Sequence, residues 1–529
     1  MATPGPTRER YDAIVVGAGI GGLVTAAYLA QAGKRVCVLD QHYVAGGNAT
    51  VFHRVKKYEF DVGIHYIGDC EKSGAIPRIL QGAGVEGVEF SEMDPDGFDI
   101  FRMPGLEFRT PKGLDRYRDR LVETFPAERK GIDKYCKIAR GMWDQMRRVG
   151  GPPSKPMELM MFPFKAPTVT RWANATMRDV FDHCTKNPEL RAVLYGFWGI
   201  HAVPPSRCSA MLHLMALMHY LKGAYYPKGG GQVMSDALVD RIHKHDGEVV
   251  LRRAVTEILV EDRRAVGVRT DKGETLRADL IVSNADLKKT ILELLPRDAL
   301  PEKYVARVDR FRMGLPLFVA YCATTLDLRT TGLGNNNIHI FPSIDFESIY
   351  KQVRAGKFSE GHYLYVTSAS LKDPTNPRLC PPGEQNFQVM TIVPPDHAVW
   401  RANGPDDHKK AEYKEVKERY LEEILEATER QLIPGLRDSL TWREAATPIS
   451  HERFVQSSGG TSYGIECSVD QFGARRPGYR APVENLYLCG ASTVAGHGIV
   501  GAMTSGLGAA TAILGGGLTG KVFRGEPIA

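Results

Sequence analysis

The sequence predicts an α/β protein: a parallel sheet flanked by helices, interleaved with a second domain of α+β character. Three observations carry this. Residues 11–40 read strand, glycine-rich turn, Ala-rich helix, strand and terminal acid, all in register. Short apolar strands return far downstream, at 249–285 and again at 486–489. Between them, runs rich in aromatic and β-branched residues at 311–323, 337–341, 362–367 and 386–393 suit an antiparallel sheet roofing the second domain.

The first unit is the most informative. Residues 13–16 are an apolar run of the kind a buried parallel strand needs. Gly17-Ala18-Gly19-Ile20-Gly21-Gly22 follows, residues 23–32 read as a helix closed by Gly33, and residues 35–39 form a second strand ending on Asp40. Gly17 permits the tight turn, Gly19 lets a pyrophosphate approach the backbone, and Gly22 lets helix and strand pack closely. The helix N-terminus offers N–H groups to phosphates, and Asp40 can accept a bond from a ribose hydroxyl. A glycine triplet alone is weak evidence, whereas the full series in register predicts a Rossmann-like dinucleotide site.

Next comes QHYVAGGNATVF, in which Gly46-Gly47 lets the backbone pass close to something bulky and Asn48 or His42 can hydrogen-bond to it. The stretch 60–68 then sets His65 and Tyr66 between Gly63 and Gly68, as a cavity wall would. Residues 115–148 and 177–194 read as helical, separated by a Gly-Gly-Pro-Pro break at 150–153. The segment 157–164 (MELMMFPF) is unusually apolar for a connection. At 210–226 Met211, Met215 and Met218 recur at helical spacing, and the two regions together make a flexible apolar tunnel an expectation.

A helix with Met234, Leu238 and Ile242 on one face follows Gly229-Gly230-Gly231, and strands at 249–251, 255–260, 265–270 and 280–282 return the chain to the first domain. Residues 409–432 form an amphipathic helix presenting Tyr413, Val416, Tyr420, Ile424 and Ala427. At the end, a strand at 486–489, Gly490 and a glycine-rich loop lead into a helix from about Ile499, whose N-terminus can sit beside an electron-rich ring. The expected division is 1–75, 225–295 and 480–529 for the nucleotide domain, and 76–224 and 296–479 for the substrate domain.

Composition narrows the class. A chain of 529 residues is too long for one core. With 43% hydrophobic and 25% charged residues it is a globular protein. A net charge of +6 without a dense basic run argues against nucleic acid but is compatible with an anionic membrane surface. Nine scattered cysteines with no CxxC pair suggest neither a disulfide framework nor a zinc site. Glycines and His497 interrupt the uncharged stretch 486–520, so no membrane span is expected, and the N-terminal apolar run is a strand, not a signal. The expected location is cytoplasmic, with peripheral contact at the inner membrane face as a further hypothesis.

In this order the pieces resemble the FAD-dependent amine oxidase and phytoene desaturase superfamily, over residues 11–514. LDQHYVAGGNATVF, FDVGIHYIGD, GIHAVPPSR, YPKGGGQ, IVSNAD and RRPGYRAPVENLYLCGAST look like the retinol saturase and carotenoid isomerase branch. AGHGIVGAMTSG is closer to bacterial carotenoid desaturases, with Ala495 where Pro is usual. The resemblance implies a tightly held FAD, with Gly17, Gly19 and Gly22 at the pyrophosphate and Asp40, in place of the family's usual Glu, on the adenosine ribose. Gly46 and Gly47 would pass near the flavin, Val255 would meet the adenine and Gly490 the ribityl–phosphate portion. Ile499 and Val500 would face the pyrimidine carbonyl, and Ile20, Gln41 and Asn48 complete the contacts.

A flavin moves a hydride, while an apolar tunnel supplies binding to a polyene or isoprenoid. The expected reaction is saturation, desaturation or isomerisation of a carbon–carbon double bond in such a substrate, a retinoid or carotenoid for example. His65, Tyr66, His201 and His497 are the candidate proton donors or polarisers. Amine oxidation is the rival activity and would need two aromatics on the flavin, for which Tyr463 and Tyr487 are available. A flavoprotein that binds lipid without turnover is the rival of a different class. With no second dinucleotide motif, the electron donor or acceptor is a separate partner.

Overall fold

A computed structural model describes residues 5–150 and 156–528. The first sheet runs Glu248–Leu251, Val36–Asp40, Arg10–Val16, Thr275–Ser283, with every neighbouring pair parallel. Leu486–Leu488 extends it in parallel along the C-terminal half of Thr275–Ser283. The N-terminal half of that strand pairs instead with the hairpin Val255–Glu261 and Arg264–Thr270. Strands from three distant stretches of chain thus complete one sheet, as the returning apolar runs predict.

Helix Ile20–Gln31 packs against helices Gln232–Lys244 and Gly498–Leu514. Small residues allow that approach, since a Cβ added to Gly506 would collide with the Gly21 carbonyl. The packing removes the helix almost wholly from water, consistent with its all-round apolar sequence. No helix among the described residues is long and apolar enough to cross a membrane.

The second sheet has seven strands in the order Leu440–Ala446, Leu317–Thr324, Gln385–Ile392, Leu364–Thr367, Asn337–Ile340, Asp99–Met103, Leu106–Thr110. It is antiparallel except where Asn337–Ile340 meets Asp99–Met103. Its two faces follow from the strand period of two. Phe318, Ala320 and Cys322 pack under helix Ala411–Gln431, which buries Tyr413, Val416, Tyr420 and Ile424 as expected. Leu317, Val319 and Tyr321 point the other way, toward the cavity described below.

Several helical expectations need correction. The stretch 115–148 is two helices, Leu114–Thr124 and Arg129–Val149, because Pro126 has no N–H to continue the first. The stretch 177–194 divides into Met177–Cys184 and Pro188–Leu194 at the extended Thr185. The helix at 210–226 stops at Leu221. Gly223 takes φ +135°, and Ala224–Pro227 becomes a strand between Ile67–Gly68 and Phe90–Glu92. Of the break at 150–153, Gly150 is a left-handed helix cap, and 151–153 lie outside the described residues.

Candidate active site

One cavity of about 2120 Å³ reaches from the C-terminal ends of the parallel strands to the inner face of the second sheet. Helix Ile20–Gln31 begins at its wall. The N-cap is Gly19, in extended backbone, with no side-chain capping bond and no acidic residue in the first turn. The first-turn N–H groups are therefore left for an anion. Gly17 holds φ +96° to form the turn. The second glycine loop lies flat on the first: Gly46 N–H donates to Ala18 O at 2.7 Å, and a Cβ on Gly47 would come within 3.1 Å of Gly19 Cα. Gly22 lies beneath the loop instead of on the wall, its Cα against the Gly17 carbonyl.

Asp40 closes the second strand. Its two carboxylate oxygens accept the Ala18 and His42 N–H groups at 2.7 Å each. Burial pushes its carboxyl up, and these two donors oppose that shift. Each oxygen keeps a lone pair that can accept one further hydrogen bond. Arg253 N–H donates to the Asp40 carbonyl at 2.8 Å, which brings the loop before Val255 to the same end of the cavity as Gln41.

At the opposite end stands the last helix, Gly498–Leu514. His497 is its N-cap and makes no capping bond, while Ile499 and Val500 line the cavity together with Gly490. Two bare helix N-termini, distant in sequence, thus border one space. Asn284 wedges among the glycine segments, its Nδ2 within 2.6 Å of where a Gly19 Cβ would lie and its Oδ1 within 3.1 Å of a Gly490 Cβ. Its place at the end of a buried strand was the one sequence signal for it. His451 had none: its ring meets Asn48 Oδ1 at 2.8 Å across 403 residues of chain.

The remainder of the cavity is mostly apolar, walled by Met211, Met215, Tyr220, Leu317, Met390 and Phe472. Met218 faces the core and does not line it. The other Met-rich segment is on the outside, as helix Pro156–Lys165 with Met157, Met160 and Phe164 exposed. An apolar compartment therefore exists, but only one of the two methionine regions builds it.

All four candidate catalytic residues reach the cavity wall, in different states. His201 is engaged within the protein: the Val203 N–H donates to its Nδ1 at 3.4 Å, and its Nε2 meets His213 Nδ1 at 3.1 Å. His213 Nε2 in turn donates to Leu194 O at 3.0 Å. Cys208 adjoins this pair, so the three form a buried group with metal-ligating atoms close together, a grouping that the search for CxxC spacing passed over. The His–His–carbonyl chain accounts for the ring nitrogens by hydrogen bonds alone. His497 is likewise engaged, with Nδ1 at 3.1 Å from Cys467 Sγ and Nε2 donating to Ile200 O at 2.9 Å.

Arg476 Nη2 also reaches that sulfur, at 3.3 Å. Burial pushes the Cys467 thiol up, and the His497 and Arg476 charges outweigh it, holding the thiol below its usual range. Tyr66 donates to Asp99 Oδ2 at 2.9 Å, and burial followed by that carboxylate drives its phenol well above the usual range. Only His65 presents a ring with no hydrogen bond among the described residues.

Glycine loop, bare helix, acid, second glycine loop and converging last helix are the parts of a flavin-dependent oxidoreductase, and the cradle suits such a cofactor. The sequence model of the flavin containing amine oxidoreductase family matches residues 20–514, and the chain belongs to that family. Its cofactor is a flavin. All-trans-retinol 13,14-reductase of Danio rerio is 30% identical over 96% of this chain and 86% of its own length. Prolycopene isomerase 1, chloroplastic, of an Oncidium hybrid cultivar is 27% identical, over 94% and 83%. Putrescine oxidase bound to putrescine shares the fold at a TM-score of 0.62 with 16% identity, over 96% of this chain and 99% of its own.

Proposed function

We propose that the chain holds FAD and changes the redox state or geometry of a carbon–carbon double bond in a long hydrophobic polyene or isoprenoid. One observation carries this: the nucleotide cradle and an apolar compartment are parts of a single continuous cavity. The two relatives named for a retinol reductase and a prolycopene isomerase support the same reading. When bound, the flavin supplies hydride transfer. The chain's own contributions are to bind and to exclude water. Gly17, Gly19 and the first turn of helix Ile20–Gln31 take the pyrophosphate, with Gly22 packing beneath them, and Asp40 takes the ribose. Gln41 and Val255 border the adenosine end. Gly46, Gly47, Asn48, Gly490, Ile499 and Val500 enclose the ring system. Residues 1–75, 225–295 and 480–529 form the cofactor domain and the rest the substrate domain.

The electron donor or acceptor is a separate molecule. Substrate is drawn from an anionic lipid surface through the exposed apolar side chains of helix Pro156–Lys165, and the exposed Arg147 and Arg148 line the cavity. Amine oxidation is the second reading, favoured by the family and the fold. Of the two aromatics named for it, Tyr463 lines the cavity whereas Tyr487 lies in the sheet, bonded to Arg480.

The test is to release the cofactor and identify it by mass spectrometry, then mix the reduced holoprotein anaerobically with polyenes. Flavin reoxidation by a polyene, with a product altered at one double bond, is expected. Hydrogen peroxide formed with amines and no reaction with any polyene would overturn the reading.

A further inference from the structure

Two adjacent polar groups of the cavity wall, His65 and Tyr365, have no hydrogen-bond partner among the described residues. The part-buried His65 ring makes no hydrogen bond among the described residues, although its backbone carbonyl accepts from Lys372 Nζ at 2.7 Å. Burial, with the Lys372 charge nearby, holds its imidazole down at about 3, so it is neutral and offers one N–H and one lone pair. Tyr365 is 7% exposed and its hydroxyl is buried without a partner. Of the buried side-chain oxygens and nitrogens left unpaired among the described residues, this hydroxyl alone belongs to a residue of the cavity wall.

The two rings meet edge to face, with centroids 5.8 Å apart at 87°. His339 backs Tyr365 in a parallel stack at 4.4 Å, which holds the phenol ring in place. Two neighbouring polar groups are committed elsewhere, Tyr66 to Asp99 and Lys372 to Asn337 and Thr367. Met390 faces Tyr365 across the second sheet, and Met211 and Met215 line the same cavity. Buried polar groups without partners destabilise a protein, so an unpaired donor beside an unpaired donor–acceptor ring marks the place of a ligand's polar group.

We propose that His65 and Tyr365 together bind one oxygen of the substrate. The substrate is then a polyene or isoprenoid bearing an alcohol or carbonyl group, not a pure hydrocarbon. This rests on the polyene reading above. An alcohol satisfies both residues: its oxygen accepts the Tyr365 O–H while its own proton goes to the imidazole lone pair. The role is one of binding and register, since a fixed oxygen determines which double bond stands at the flavin.

The experiment compares two probes on the flavin-loaded protein, a C20 polyene alcohol and the same polyene with a methyl group in place of its hydroxymethyl group. Binding is followed by quenching of protein fluorescence. The wild type should prefer the alcohol by about tenfold or more, the difference one hydrogen-bonded group makes. Tyr365→Phe and His65→Leu should each weaken alcohol binding by about tenfold and leave the hydrocarbon unchanged, whereas His65→Gln, which retains a donor and an acceptor, should restore much of the preference. Equal affinity of the wild type for both probes, or equal weakening of both by the variants, overturns the proposal. So does loss of flavin from His65→Gln, which would make the residue a cofactor contact. Neither probe binding while the flavin stays in place overturns the polyene reading itself.

Discussion

Gly22 shows how a single side chain decides whether the cofactor cradle can exist. Its Cα rests on the Gly17 carbonyl, so a methyl group there must push the helix off the strand. Gly22→Ala is expected to destabilise the protein by roughly 1–3 kcal/mol, the range for overpacking a tight contact. Flavin occupancy should fall with it, because the same displacement spoils the loop geometry. Thermal unfolding and the flavin-to-protein absorbance ratio read the two effects, and a variant with unchanged melting temperature and full flavin would refute the account. This role was legible in the sequence, since the spacing of Gly17, Gly19 and Gly22 from Asp40 already implies strand, turn and helix. The roles of Asn284 and His451 were not. Each acts on a glycine loop hundreds of residues away, and no local spacing encodes such a contact.

At the scale of elements, helix Pro156–Lys165 is the one that its surroundings do not explain. Met157, Met160 and Phe164 are 66%, 61% and 79% exposed, apolar side chains left in water. Met160→Glu with Phe164→Glu should leave folding and flavin content intact, because neither side chain is buried. The same pair should abolish cosedimentation with anionic vesicles, and a wild type that never cosediments would end the idea. The sequence marked this segment as unusually apolar but grouped it with Met211 and Met215. Only packing distinguishes them: helix Ala210–Leu221 lies against helix Arg129–Val149 with Met211 and Met215 on the cavity wall, whereas Met157, Met160 and Phe164 are exposed.

For the whole molecule, a buried charged network joins the His65–Tyr66 segment to the second sheet. Lys372, 2% exposed, donates to His65 O on one side and to Asn337 Oδ1 and Thr367 Oγ1, each at 2.5 Å, on the other. Asn337 Nδ2 passes the contact to Asp99 Oδ1 at 2.8 Å, and Asp99 holds Tyr66. Burial lowers the Lys372 ammonium to about 7, with Asp99 and Asp61 opposing. In the unfolded chain it titrates near its usual value of 10.5.

Between those values the unfolded state binds the extra proton, so stability should rise with pH, by at most about 1.4 kcal/mol per unit from this group. The gain is complete above the unfolded value and is lost as pH falls through about 7. Denaturant unfolding of the holoprotein from pH 7.5 to 9.5 should show the rise, and Lys372→Met should flatten it. Equal slopes in the two proteins would refute the assignment.

The sequence by itself determined the first strand–glycine loop–helix–strand unit of the parallel sheet, because strand, glycine loop, helix and acid are contiguous and each imposes a local backbone conformation. It also determined the family, through motifs that recur in order along nearly the whole chain. Tertiary structure alone decided which of four candidate residues are free to act. His201, His497 and Tyr66 spend their polar atoms on partners within the fold, some local and some distant in sequence, while His65 makes no ring hydrogen bond among the described residues. Hydrogen-bond satisfaction is a property of the folded neighbourhood, and residue type and spacing do not carry it.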